Sequence, residues 1–274
     1  MTMPAPQQPA APDADVVRTL TDGDLELVGR IMPASNATFL AEAVLGEERV
    51  RCVYKPVAGE RPLWDFPDGT LAGRERAAYL VSEALGWQVV PLTILRDGPH
   101  GSGMVQRWCE PDEELDPVDI CSVGEVPDGY LRVLDAQDDT GSTVTLVHED
   151  SQPLRRMAVF DVLVNNADRK GGHVLAMTDG HRYGVDHGVS FHVDNKLRTV
   201  LWGWATEPLR PEDRDAVGAV LADLESGTGL REALCELLDA DEVAALARRC
   251  RRLLAKGRMP GPSGSWPAIP WPAF

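Results

Sequence analysis

"NNADRKGGHVL" (Asn165–Leu175) and "YGVDHGVSF" (Tyr183–Phe191) are the two stretches that decide how this chain is read. The first closes "LRRMAVFDVLVNNA", which is apolar nearly all round and so predicts a buried helix. That puts Asp168 at the C-terminal end of the helix or just past it, a costly place for a carboxylate unless cations surround it. His173 follows five residues later. Asp186 comes thirteen beyond that, in Asp-His-Gly, after the strand and turn predicted for "VLAMTDGHRYGVD". One carboxylate to orient or deprotonate a hydroxyl, a metal-capable side chain close behind it, and a second carboxylate to hold a divalent cation are the parts that phosphoryl transfer needs.

Working outward, "RVRCVYKP" alternates as a strand, with Val50, Cys52 and Tyr54 on one face and Arg51, Val53 and Lys55 on the other. An amphipathic helix, "LAGRERAAYLVSEALG", follows; it carries Glu75 and Glu83, and Gly86 suits its stop. A strand lysine paired with a helix glutamate can hold nucleotide phosphates. "PASNAT" (Pro33–Thr38) is a small polar turn between strands, a shape that offers N–H groups and hydroxyls to phosphate. "GMVQRWC" is an apolar strand; it is similar to a segment that passes behind an adenine, with Met104 lining the pocket and the backbone of Gln106 and Arg107 bonding the base.

The surrounding chain bounds the possibilities. It has 274 residues, net charge −16, and a Pro/Ala/Gln-rich start without the features of a signal peptide. The apolar runs fall short of the roughly 20 residues that span a bilayer. Bulk charge of this sign excludes non-specific nucleic-acid binding and opposes anionic membranes. Five scattered cysteines lack zinc spacing and predict free thiols in a reducing cytosol. Trp202, Trp204, Trp266 and Trp271 predict core or tail packing, and the arginines of "ARRCRRLLAK" predict solvated or acid-paired positions on a helix. The segments divide as a disordered tail (1–14), a β-rich N-lobe (15–108), a mainly helical C-lobe (109–258) and a Pro/Trp-rich strap (259–274).

Taken together, "NATF", "VYKP", "GRERAAYLVSEALG", "MVQRW", "NNADRKGGHVL" and "GVDHGVSF" resemble the phosphatidylinositol 3-/4-kinase-like superfamily, most of all an actinobacterial branch of it, with the HipA-type kinases more distant. The resemblance covers about residues 20–205 and implies an α+β, two-lobed kinase-like fold that uses ATP with Mg²⁺ or Mn²⁺. It implies that Lys55 contacts the α/β-phosphates and Glu75 holds Lys55. Ser35, Asn36 and Thr38 then belong to the phosphate-facing loop, and Gln106, Arg107 and Trp108 to the hinge. Asp168 is the catalytic carboxylate with Arg169 beside it, and His173 and Asp186 are the metal ligands. His173 stands where the family has Asn, and His187 where it has an apolar residue. Imidazole suits Mn²⁺ better than Mg²⁺. The expected activity is a cytoplasmic kinase acting on a hydroxyl of a protein or small molecule. A nucleotide-binding pseudokinase and a nucleotidyl transferase stand as alternatives.

Overall fold

The computed structural model describes residues 13–32, 36–61, 63, 66, 71–138, 140–264 and 267–274. Its first part is built on an antiparallel sheet of β1 (Asp24–Arg30), β2 (Phe39–Leu45), β3 (Glu48–Pro56), β4 (Thr93–Gly98) and β5 (Gly101–Arg107), in the order β1-β2-β3-β5-β4. The alternation read in β3 is present: Cys52, Tyr54 and Pro56 are buried between more exposed neighbours. Helix α1 (Ala14–Asp22) packs against β2 and β3, and α2 (Leu71–Ala84) against β4 and β5. The buried face of α2 is lined with small residues, Ala72, Gly73, Ala77 and Ala78, which let the helix sit close to the sheet. Its free N–H groups are met by Glu60, whose carboxylate accepts from Leu71 at 2.9 Å and Ala72 at 2.8 Å.

A second antiparallel sheet, β6 (Val118–Ser122), β7 (Tyr130–Gln137) and β8 (Thr143–Glu149), follows in the order β6-β8-β7. The hairpin of β7 and β8 matches the sequence reading; β6, hidden behind the acidic run at 110–116, does not stand out by pattern.

Helix α3 (Gln152–Val164) runs through the core of the second part. Ser151 caps its start by accepting from Leu154 N–H. Leu154, Met157, Phe160, Leu163 and Val164 are fully buried, each worth about 1.5–3 kcal/mol of apolar burial. The helix ends earlier than the apolar pattern suggests, because Asn165 turns left-handed (φ 57°, ψ 50°) as its C-cap. Helices α4 (Pro211–Ser226), α5 (Leu230–Cys235) and α6 (Ala240–Lys256) complete this part. The prolines beyond α6 lead the chain back across the surface. Ala268 C=O accepts from Thr199 N–H at 3.0 Å, and Ala273 C=O accepts from Gly171 N–H at 2.8 Å.

All five cysteines are free thiols, and no helix among the described residues is long and apolar enough to cross a membrane.

Candidate functional site

A short hairpin creates the site. Strands β9 (Val174–Ala176) and β10 (Arg182–Gly184) pair with Val174 opposite Gly184. His173 therefore leads into one strand where Val185 leaves the other, and Val185 N–H donates to His173 C=O at 3.0 Å. One residue on, Asp186 adopts φ 63°, which swings it out of the strand direction. The open end of the hairpin thus brings His173 and Asp186 face to face.

Lys55 completes this centre from β3. Its Nζ lies 2.8 Å from Glu75 Oε1 and 2.8 Å from Asp186 Oδ1. Burial disfavours the ammonium, but the Asp186 and Glu75 carboxylates outweigh it and raise the Lys55 pKa. Lys55 in turn holds the Asp186 carboxyl well below the usual carboxylate range. Of the two glutamates that the helix offered, Glu75 is the partner. Its second oxygen accepts the His187 N–H at 2.9 Å, so one carboxylate joins the sheet lysine to the Asp-His-Gly turn. Glu83 instead lies beside Tyr79 and Arg76.

His173 has a defined tautomer. Its Nδ1 is 3.0 Å from the Asp168 carbonyl, which can only accept, so Nδ1 carries the proton. That leaves a lone pair on Nε2, 3.5 Å from Asp186 Oδ2. Burial pushes the His173 pKa down to about 4, so the ring is neutral near pH 7. A neutral nitrogen and a carboxylate oxygen facing each other, both electron donors, form a pair that a cation would bridge.

Asp168 stands on the loop between α3 and β9. Burial raises its pKa, Lys170 opposes the rise with Nζ 3.5 Å from Oδ2, and the charge of Asp186 adds to it. A partly buried carboxylate with a raised pKa is suited to take a proton from a hydroxyl.

Arg169 does not face this cleft, which corrects the expectation that it takes part directly. Its side chain is fully buried. Its guanidinium grips Asp161 of α3, with Nη2 2.9 Å and Nε 3.0 Å from the two carboxylate oxygens, and also donates to the His173 and Val185 carbonyls and to His187 Nε2. A methyl group at Gly184 would run into it. Arg169 is therefore a positioning residue that fixes both motifs to one helix. Because His187 accepts at Nε2, its proton sits on Nδ1; the ring packs edge-on against Phe160, 5.4 Å between centroids. The apolar slot expected at position 187 is thus filled by a buried, neutral imidazole.

Asp161, Asn165 and Asn166 were not singled out by sequence, yet they set the loop. Asn166 Nδ2 donates to Asp161, and its Oδ1 accepts the Asp168 N–H at 2.9 Å. Asn165 bonds the His192 and Asp194 carbonyls and the Lys196 N–H. The available signal was the Asn-Asn pair at the end of an apolar helix, a pattern that suits a left-handed cap. Lys170, next to Arg169, also went unnoticed.

The other candidates divide. Met104 is fully buried opposite Lys55 and on the same face of the sheet. Gln106 is buried, with its side-chain amide donating to Thr93 at 2.9 Å. The hinge expectation needs correction. Arg107 N–H is bonded to Leu92 C=O and Trp108 N–H to Arg51 C=O, so these amides are spent on protein contacts rather than open to a base. Asn36 Oδ1 accepts from Arg61 N–H, tying this loop to the segment after β3, and the Thr38 hydroxyl donates to Asn36 C=O within the loop. Ser35 and Trp266 lie outside the described residues.

No family model matches the chain. It is 57% identical over 264 residues to Protein Rv2133c of Mycobacterium tuberculosis (strain ATCC 25618 / H37Rv), an alignment that covers 93% of this chain and 94% of that protein. The chain belongs to the Rv2133c family. Among solved structures, the Helicobacter pylori proinflammatory kinase CtkA aligns with this Rv2133c relative at TM-score 0.40 and 12% identity, over 85% of this chain and 98% of that one. A chain of the Shewanella oneidensis MR-1 complex of HipA, HipB and operator DNA aligns at TM-score 0.36 and 12% identity, over 84% and 65%. Likenesses of that size carry no argument about this chain. The phosphatidylinositol-kinase part of the resemblance has no support among these proteins.

Proposed function

We propose that this Rv2133c-family protein is a two-lobed, ATP- and divalent-metal-dependent phosphotransferase that acts on a hydroxyl of a protein or small molecule. One observation carries the reading: Lys55 sits 2.8 Å from both Glu75 and Asp186, and the unprotonated Nε2 of His173 faces the other oxygen of Asp186 at 3.5 Å. Lys55 supplies a fixed positive charge for phosphate oxygens, and Glu75 keeps it aimed into the cleft. Asp168, with its raised pKa, orients the acceptor hydroxyl and receives its proton, while Lys170 beside it meets the negative charge of the group in transit.

The donor set fits a divalent ion. Among the described residues, no three His, Cys, Asp or Glu side chains gather into a metal cage. Asp186 and His173 would hold the ion by two protein ligands, leaving other positions to phosphate and water, as Mg²⁺ and Mn²⁺ sites in kinases do. Such an ion, when bound, neutralises charge on the transferring phosphoryl group. The imidazole nitrogen favours Mn²⁺ over Mg²⁺.

The test is a paired labelling experiment in a metal series. γ-Labelled ATP should label the protein or an added acceptor, with Mn²⁺ at least as effective as Mg²⁺, and Asp186→Ala should abolish it. Label arriving from α-labelled ATP would establish nucleotidyl transfer instead. Nucleotide-induced thermal stabilisation without turnover in any metal would establish a pseudokinase.

A further inference from the structure

The basic helix "ARRCRRLLAK" is not merely solvated. Arg251 pairs with Glu225 of α4, Oε1 lying 2.8 Å from Nη2, as the sequence suggested. Arg249, Arg252, Leu253 and Lys256, spaced by three and four residues, form a different stripe of α6 and line a cavity of about 190 Å³. Arg258, just past the helix, adds a further cation. No lining residue is acidic, in a chain with 43 acidic side chains against 27 basic ones.

The cations are held in different ways. Arg249 is braced by the Leu163 and His192 carbonyls, at 2.6 and 3.2 Å, and its Nη2 is enclosed without a hydrogen-bond acceptor. Arg258 is steadied by the Thr206 carbonyl at 2.9 Å. The Arg252 and Lys256 side chains form no ion pair or hydrogen bond among the described residues. The remaining walls are mainly apolar, chiefly Val162, Leu253 and Trp202, with Asn195 and Ser263 as uncharged polar members. The Trp202 ring is fixed by its Nε1–H bond to Ala268 C=O at 2.9 Å. None of Lys55, Glu75, Asp168 or Asp186 lines this cavity.

We infer that this cavity is a second binding site, taking a phosphate monoester carried on a flat apolar body. Clustered cations in a lining with no acidic residue call for a ligand with more than one negative charge, which a phosphate monoester has near neutral pH. Guanidinium forks match its oxygens two at a time. The fixed indole and aliphatic wall select against bare phosphate. A soluble aryl phosphate has this chemistry in full, and the headgroup of a phosphatidate lipid shares its phosphate monoester on an apolar body.

Calorimetry on the full chain with phenyl phosphate, inorganic phosphate and phenol tests it, without nucleotide present. Phenyl phosphate should bind about tenfold or more tightly than either fragment. The double variant Arg252→Glu/Lys256→Glu, both exposed side chains, should lose that binding with an unchanged melting temperature. Lys55→Met should bind as the parent does. No saturable heat with phenyl phosphate overturns the inference. So does retention in the double variant, or loss in Lys55→Met alone, which would put the phosphate in the cleft. Sedimentation with phosphatidate-containing vesicles but not with phosphatidylcholine vesicles, lost in the double variant, would support the site and assign the lipid source. Binding in calorimetry without sedimentation would support it and assign the soluble source.

Discussion

Two ion pairs on neighbouring motifs have opposite settings. Lys55 and Asp186 meet at the cleft, with side chains 22% and 52% exposed. Arg169 and Asp161 meet below it, both fully buried. The first pair can exchange a partner for a ligand, because water and ions reach it. The second cannot: it spends every strong contact on holding α3, the Asp168 loop and the Asp-His-Gly turn together. On the proposed function, charge at the surface of the cleft does the chemistry, and charge beneath it fixes geometry.

Substituting the cleft carboxylates, Asp186 of the open pair and Asp168 beside it, should have the largest effect on turnover. Asp186→Ala should abolish γ-phosphoryl transfer, and Asp168→Asn should lower it by about 10²- to 10⁴-fold, measured in single-turnover labelling. Both variants should unfold near the parent midpoint in urea. If either instead lost several kcal/mol of stability, the division between the pairs would fail.

Breaking the buried pair should do the reverse. Arg169→Met leaves Asp161 buried without its cation and should cost about 3–5 kcal/mol in urea unfolding. The double variant Arg169→Met/Asp161→Leu should recover part of that loss, since no unpaired charge remains. A loss below the level of a surface pair in the single variant would contradict the structural role.

A subtler change sharpens the open side. His173→Asn replaces the nitrogen donor by an oxygen donor. Mn²⁺ affinity, read from metal titration of nucleotide binding, should fall by about 10- to 100-fold, with preference moving towards Mg²⁺. An unchanged metal profile would remove His173 from the site.

Outside both pairs, His148 is buried, with Nδ1–H donating to Glu149 C=O and Nε2 accepting Gly203 N–H at 2.9 Å. Burial lowers its pKa, so the native state resists a proton that the unfolded chain accepts. Its contribution is intact above the ordinary histidine value of about 6.5 and is lost as pH falls below it. Unfolding midpoints should drop through that window, less steeply in His148→Gln. Smallest of all, Arg251→Ala, which removes the exposed partner of Glu225, should change stability by about 0.2–1 kcal/mol.

The sequence carried the parts of the site better than their tethers. Lys55 was legible because strand alternation and helix order are local patterns, and Asp168, His173 and Asp186 because the β9–β10 hairpin between them is short. Asp161 read only as a polar residue in an apolar helix; its meaning depends on an arginine eight positions later folding back onto it. The hinge misled because an apolar strand shows nothing of where its amides point. The basic run on α6 divides because helical spacing separates Arg251 from Arg252 by about 100°: Arg251 meets an acid, as the sequence suggested, and Arg252 is exposed beside a cavity that the sequence pattern does not show.

The docking of the last residues on the Asp168 loop has a consequence for how relatives vary. Ala273 C=O takes the Gly171 N–H, and the Phe274 ring lies where any side chain at position 171 would go. Positions 171 and 274 are therefore not free to drift alone. A relative with alanine at 171 should carry a smaller residue at 274, and one that keeps the phenylalanine should keep the glycine, so the two sites should change as a linked pair across the family.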